Sequence, residues 1–136
     1  MSDNANTALI QSMYAAFNSG DIKTVLASVA PDAEWVNYGP SALPYAGDFT
    51  GRMEEFFRAL GQSVTDADLV VDRYLAAGDT VVAEGRFSAT ASNTGFRMEI
   101  PIAHVFTVRD GKITSWRGYG DTAASLAAHT GKAVSA

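Results

Sequence analysis

His104, Arg117, Tyr119 and Asp121 fall within one stretch, Ile100 to Asp121, which reads IPIAHVFTVRDGKITSWRGYGD. A histidine beside an aspartate is a general acid–base pair, because imidazole changes charge near neutral pH and a carboxylate can orient it. His104 and Asp121 are therefore the candidate catalytic residues, with Tyr119 as a candidate substrate contact. Trp116 offers a flat apolar wall, and Gly118 and Gly120 leave space beside it. Earlier in the chain, Trp35 and Asn37 share one face of a short strand. An amide such as Asn37 orients a water or a carbonyl but cannot act as a base. Glu84 and Arg86 share a face of a longer strand. They read as an internal ion pair, a solvated or interface pair, or a grip on a substrate oxygen. Tyr45, Phe49, Met53, Phe56 and Leu60 form an apolar group that suits a core or an apolar ligand equally well.

The elements that position these residues follow from turn chemistry and periodicity. Asp110-Gly111 separates two β-rich runs, and this dipeptide supplies the two positive φ angles of a two-residue hairpin turn. Trp116 and Gly118 then share one face of the second arm. With Ala103 on that face, His104, Arg117, Tyr119 and Asp121 point away, toward a partner subunit. One extra residue in a strand reverses such an assignment, and Pro101 is where a bulge or an edge is expected.

The rest of the chain reads in order. Leu9, Met13, Ala16 and Phe17, widened by Ile10 and Tyr14, form the apolar face of a first helix, with Asp3, Asn4 or Asn6 as its cap and Gly20 in its C′ position. Asp21 caps a short second helix that stops at Pro31, and Ala33 to Asn37 is a strand. Tyr38 to Thr50, with two prolines and scattered apolar side chains, is a loop of the kind that covers a site. Thr50 caps a third helix ending at Gly61, with Glu54 and Glu55 on its solvated face. Strands follow over Leu69 to Ala76, Thr80 to Ala91 and Phe96 to Val108, then the second hairpin arm, and a short helix over Thr122 to His129. Helices first and antiparallel strands after is an α+β pattern, here a single domain over residues 1–136.

Composition narrows the function classes. Of the 136 residues, 47 % are hydrophobic and 18 % charged, enough for a substantial core. The net charge of −5 argues against nucleic acid or a polybasic membrane surface as partner. Without cysteine there is no thiolate metal site, disulfide or thiol nucleophile, and two histidines make a multi-histidine metal site unlike this chain. No segment approaches the roughly 20 apolar residues that span a bilayer, and the first residues lack a signal-peptide pattern. A cytoplasmic protein is expected.

Three segments, FNSGDIKTVLASVAPDAEW, YAGDFTGRMEEFF and AHVFTVRDGKITSWRGYGD, resemble the SnoaL-like branch of the NTF2-like superfamily, which includes ketosteroid isomerase, limonene epoxide hydrolase and polyketide cyclases. The resemblance implies a cone of curved antiparallel sheet wrapped by three helices, an internal pocket, no cofactor, and a homodimer through the sheet's outer face. Set against ketosteroid isomerase, the tyrosine position falls on Met13, one residue from Tyr14; the base position falls on Asn37 and the oxyanion acid on Ala103. Set against the epoxide hydrolase, Asn37 matches the water-holding amide, Trp35 replaces a tyrosine, Gly118 replaces an acid, and Arg86 is the available cation. Two functions remain in view. One is a cofactor-independent isomerase, cyclase or hydrolase-type enzyme for a hydrophobic small molecule, using His104, Asp121, Asn37 and Arg86. The other is a non-catalytic binding or dimerisation module.

Overall fold

The computed structural model describes residues 3–131. The elements are α1 (Asp3–Asn18), α2 (Ile22–Ala27), β1 (Val29–Asn37), β2 (Gly47–Asp48), α3 (Met53–Ser63), β3 (Val64–Ala77), β4 (Thr80–Ala91), β5 (Arg97–Arg109), β6 (Lys112–Gly120) and α4 (Thr122–Thr130). Six strands make one curved, unclosed sheet in the order β2-β1-β6-β5-β4-β3. Strands β3 to β6 form an antiparallel meander, and β1 lies parallel to β6.

Local chemistry explains most of the boundaries. Gly20, at φ 80°, ends α1 in the left-handed conformation that a β-carbon disfavours. Asp21 caps α2, accepting from the Thr24 amide at 3.2 Å. Asp110 and Gly111 have φ of 51° and 73°, as the hairpin turn requires. Three details differ from expectation, and the choice at Pro101 between a bulge and an edge is decided for the edge. Helix α2 stops at Ala27, and β1 already runs from Val29 through Pro31, with an irregular register before Glu34. Thr50 does not cap α3: Arg52 holds that position, and the Thr50 hydroxyl accepts from the Trp35 amide at 3.2 Å, tying the preceding loop to β1. Gly61 lies inside α3. The register between β4 and β5 runs unbroken through Pro101. Strand β6 ends opposite Ile102, so Pro101 sits at a local edge where no ladder bond is lost.

The core lies between the helices and the inner sheet face. Helix α1 contributes Ile10, Met13 and Tyr14, and α3 contributes Met53, Phe56 and Leu60 at one-turn spacing. Trp35 stacks on Trp116 with ring centroids 4.7 Å apart, and Phe56 meets Trp116 at 5.3 Å. At the open edge, the Asn18 amide bonds the Leu69 backbone in both directions, each at 2.9 Å. It occupies one stretch of the β3 edge that would otherwise be free to pair with another strand.

Candidate ligand cavity

A single extra residue in β6 decides which hairpin side chains face inward. Arg109 pairs with Lys112 and Val108 with Ile113, but Thr107 pairs with Ser115, leaving Thr114 as a bulge. An unbroken ladder from the turn would set Ala103 opposite Gly118 and His104 opposite Arg117. The bulge sets His104 opposite Gly118 and Ala103 opposite Tyr119. Directly opposed residues share a face, so His104 joins Trp116 and Gly118 inside the cone. This corrects the expectation that His104 points to a partner subunit, and the shift lies at Thr114, not at Pro101.

Inside the cone is a cavity of about 100 Å³, walled mainly by apolar and aromatic side chains. Helix α1 supplies Met13, Tyr14 and Phe17; β1 and the loop after it supply Trp35, Asn37, Tyr38, Leu43 and Tyr45. Phe56, Phe57 and Leu60 come from α3, Leu69 and Phe87 from β3 and β4, Ile100, Ile102 and His104 from β5, Trp116 from β6, and Thr122 and Ser125 from α4. Among the described residues no Asp, Glu, Lys or Arg lines it, and none form a group that could hold a metal ion. Gly118 preserves the geometry of one wall. A β-carbon there would lie 2.6 Å from Asn37 Oδ1 and 2.6 Å from the Trp116 ring. Trp116 cannot retreat, because Trp35 is stacked against it. Gly118→Ala is therefore expected to cost about 1–3 kcal/mol of stability and to narrow the cavity, read from urea unfolding and ligand titration.

The polar centre of the cavity is a pair separated by 90 positions in sequence. Tyr14 Oη and His104 Nδ1 are 2.7 Å apart. Burial pushes the His104 pKa down to about 3 and raises that of Tyr14 well above the usual phenol value. Both groups are neutral at physiological pH. Hydrogen-bond accounting then assigns the proton. If Nδ1 carried the hydrogen, the buried Tyr14 hydroxyl would have no acceptor; with Tyr14 donating to Nδ1, the hydrogen of the imidazole sits on Nε2. His104 makes its one side-chain hydrogen bond among the described residues through Nδ1, which leaves Nε2 unengaged. The Trp35 Nε1–H is buried without an acceptor. Asn37 donates Nδ2 to the Tyr45 carbonyl at 2.9 Å, which fixes its amide and holds the covering loop. Tyr45 Oη meets His129 Nε2 of α4 at 2.9 Å, and burial pushes the Tyr45 phenol up to about 12.

Of the residues expected at the site, Trp35, Asn37, Tyr45, Phe56, His104 and Trp116 line one cavity. The others stand apart. Asp121 is exposed and caps α4, accepting from the Ala124 amide at 3.1 Å; it is no partner of His104. Arg86 is on the outer face, 3.5 Å from both Asp72 and Glu99, while Glu84 pairs with Arg73. Tyr119 is also outside, stacked on Tyr38, and Arg117 is bound to Glu34 at 2.7 Å. Met53 is buried in the core near α2, and Phe49 packs on Phe56 without reaching the cavity wall. The important residue not anticipated is Tyr14. Its position one residue from a known tyrosine site set it aside, yet Met13 and Tyr14 both line the cavity. A tyrosine within an otherwise apolar helix face was the available signal, since a buried phenol needs a partner.

A curved sheet closed by helices over an apolar cavity defines an NTF2-like cone. The chain is 27 % identical to an NTF2-like protein of unknown function from Burkholderia pseudomallei, covering 96 % of this chain and 99 % of that one, with a TM-score of 0.87. An NTF2-like protein from Burkholderia thailandensis is 32 % identical over 90 % of this chain and 95 % of that one, at 0.81. TerC, crystallised with polyporic acid, is 27 % identical over 93 % and 98 %, at 0.84. No curated protein matches. The SnoaL-like domain model matches residues 10–116, and the chain belongs to that family. Among the described residues, no helix is long and apolar enough to cross a membrane.

Proposed function

We propose that this protein is a cofactor-independent enzyme of the isomerase, cyclase or hydrolase type, acting on a hydrophobic, carbonyl-bearing small molecule. The observation that carries this reading is the His104 imidazole, buried, neutral and held through Nδ1 by Tyr14. Its Nε2–H is a fixed donor beside an apolar cavity. Such a donor polarises a carbonyl oxygen and stabilises charge that develops on it, at little cost of reorganisation. His104 takes the role of hydrogen-bond donor and Tyr14 that of its positioning residue. Trp35, Phe56 and Trp116 would flank the ligand, and Asn37 and Tyr45 would hold the loop over it. TerC's crystallisation with polyporic acid supports a small organic ligand here. The outer sheet face around Val82 and Val105, both half-buried there, is assigned to a homodimer contact that stops short of Tyr119 near the end of β6.

The test is a titration of acetophenone and of ethylbenzene, which lacks the oxygen. Wild-type protein should prefer acetophenone, and His104→Ala should lose about tenfold in affinity for it and little for ethylbenzene. Equal losses for both would sink the polarisation role. Because His104 stays neutral well below pH 5, acetophenone binding should be flat between pH 5 and 8. A second reading, a non-catalytic binding module, draws on one observation: among the described residues no carboxylate lines the cavity to take a proton from carbon. Exchange of the acetophenone methyl protons with deuterated solvent separates the two. Protein-accelerated exchange favours the enzyme; binding without exchange favours the module.

A further inference from the structure

The cavity is too small for an extended ligand. Its volume of about 100 Å³ is below the ~150 Å³ that accommodates benzene in an engineered apolar cavity, so one ring enters only as wall side chains give way, and it is far below the ~300 Å³ of ordinary ligand pockets, so a second ring cannot follow. A ligand larger than one ring must therefore project through the mouth. Among the described wall residues only Tyr38 is exposed, at 45 %, so the mouth lies beside it. Tyr38 is not alone there. Asn37 and Gly118 are neighbours on the parallel β1–β6 ladder, and the Tyr38 amide extends that ladder to the Gly118 carbonyl at 3.0 Å. The next residues, Tyr38 and Tyr119, thus stand side by side, with ring centroids 4.9 Å apart and planes 24° from parallel. Tyr119 is 44 % exposed. Arg117, the cation that acts on both phenols, is neutralised by Glu34 at 2.7 Å, which favours an uncharged ring over an anionic one.

We infer that Tyr38 and Tyr119 form an outer aromatic subsite, which holds the second ring of a ligand whose carbonyl-bearing ring enters the cavity. The inference rests on the cavity reading above and names its substrate class: a biaryl or fused polycycle. A flat ring placed against the exposed edge of the pair gains stacking and apolar burial.

The experiment compares acetophenone with 4-acetylbiphenyl, which carries the same ketone and one more ring, on the full chain. Wild-type protein should bind 4-acetylbiphenyl at least about tenfold more tightly. Tyr119→Ala should remove most of that advantage while leaving the acetophenone affinity unchanged, and Tyr119→Phe should retain it. Equal weakening of both probes would mean a structural role and overturn the subsite. So would an unchanged preference in Tyr119→Ala, including the case in which the variant dissociates a dimer, which would assign the pair to a contact between copies. If wild-type protein binds acetophenone but gains nothing from the second ring, the subsite falls and the cavity reading stands. If it binds neither probe, both fall.

Discussion

Between pH 6.5 and pH 4, the wild-type protein is expected to lose about 3 kcal/mol more folding stability than a His104→Gln variant. The His104 pKa is pushed down from 6.5 to about 3 by burial among Tyr14, Phe106 and Trp116. In the unfolded chain the imidazole takes a proton as pH falls below 6.5; in the folded chain it does not until about pH 3. The unfolded state therefore binds more protons throughout that window. Stability rises with pH across it, is fully present above pH 6.5, and is lost as pH falls toward 3. Each pH unit is worth ~1.4 kcal/mol at full effect; just below pH 6.5 the unfolded imidazole is only partly protonated, which trims the two and a half units to about 3 kcal/mol. Glutamine can still accept from the Tyr14 hydroxyl and donate into the cavity, but it does not titrate. The carboxylates common to both proteins cancel in the comparison. Urea unfolding at a series of pH values reads the result, and parallel pH dependences for the two proteins would show that His104 is not held neutral.

Gly85→Ala should be the most damaging single methyl group in the chain, costing about 3–5 kcal/mol. A β-carbon at Gly85 would lie 1.9 Å from the Val70 carbonyl oxygen and 2.8 Å from the Val71 Cα. These are backbone atoms, so no rotamer change relieves the clash. Gly85 pairs with Val71 directly before the bulge at Asp72, where β3 folds closely over β4. The missing side chain is what permits this approach. Separating the strands would also move Leu69 and Phe87, two cavity wall residues. The variant should thus lower the urea midpoint strongly and weaken acetophenone binding in whatever fraction remains folded. A loss under about 1 kcal/mol would mean that the strands do not meet as described. At Gly118 the β-carbon would meet side-chain atoms of Asn37 and Trp116, whereas at Gly85 it would meet the backbone itself.

The legible parts of the chain share a physical character: their causes are local. The Asp110-Gly111 turn, the Gly20 helix end and the Asp21 cap depend on residues within four positions of one another. The apolar spacing of Met53, Phe56 and Leu60 also foretold which side of α3 is buried. One further signal lay in plain view. Ile100, Ile102, Phe106 and Val108 alternate along β5 with His104 among them, and that apolar parity is the buried one. Alignment to a family acid at Ala103 pointed the other way. The role of Asp121 is equally local: its carboxylate accepts from the Ala124 amide three residues on and caps α4.

The sequence alone determined the α+β class, the order of elements, the hairpin turn and an aromatic-rich set of inward-facing candidates, because propensity, capping and periodicity act between near neighbours. Tertiary structure decided the chemistry. The Thr114 bulge turned His104 inward, and packing of α1 on the sheet brought Tyr14 to its Nδ1. Burial then held the imidazole neutral. Register, approach and desolvation are properties of segments far apart in the chain, and each exists only once those segments meet.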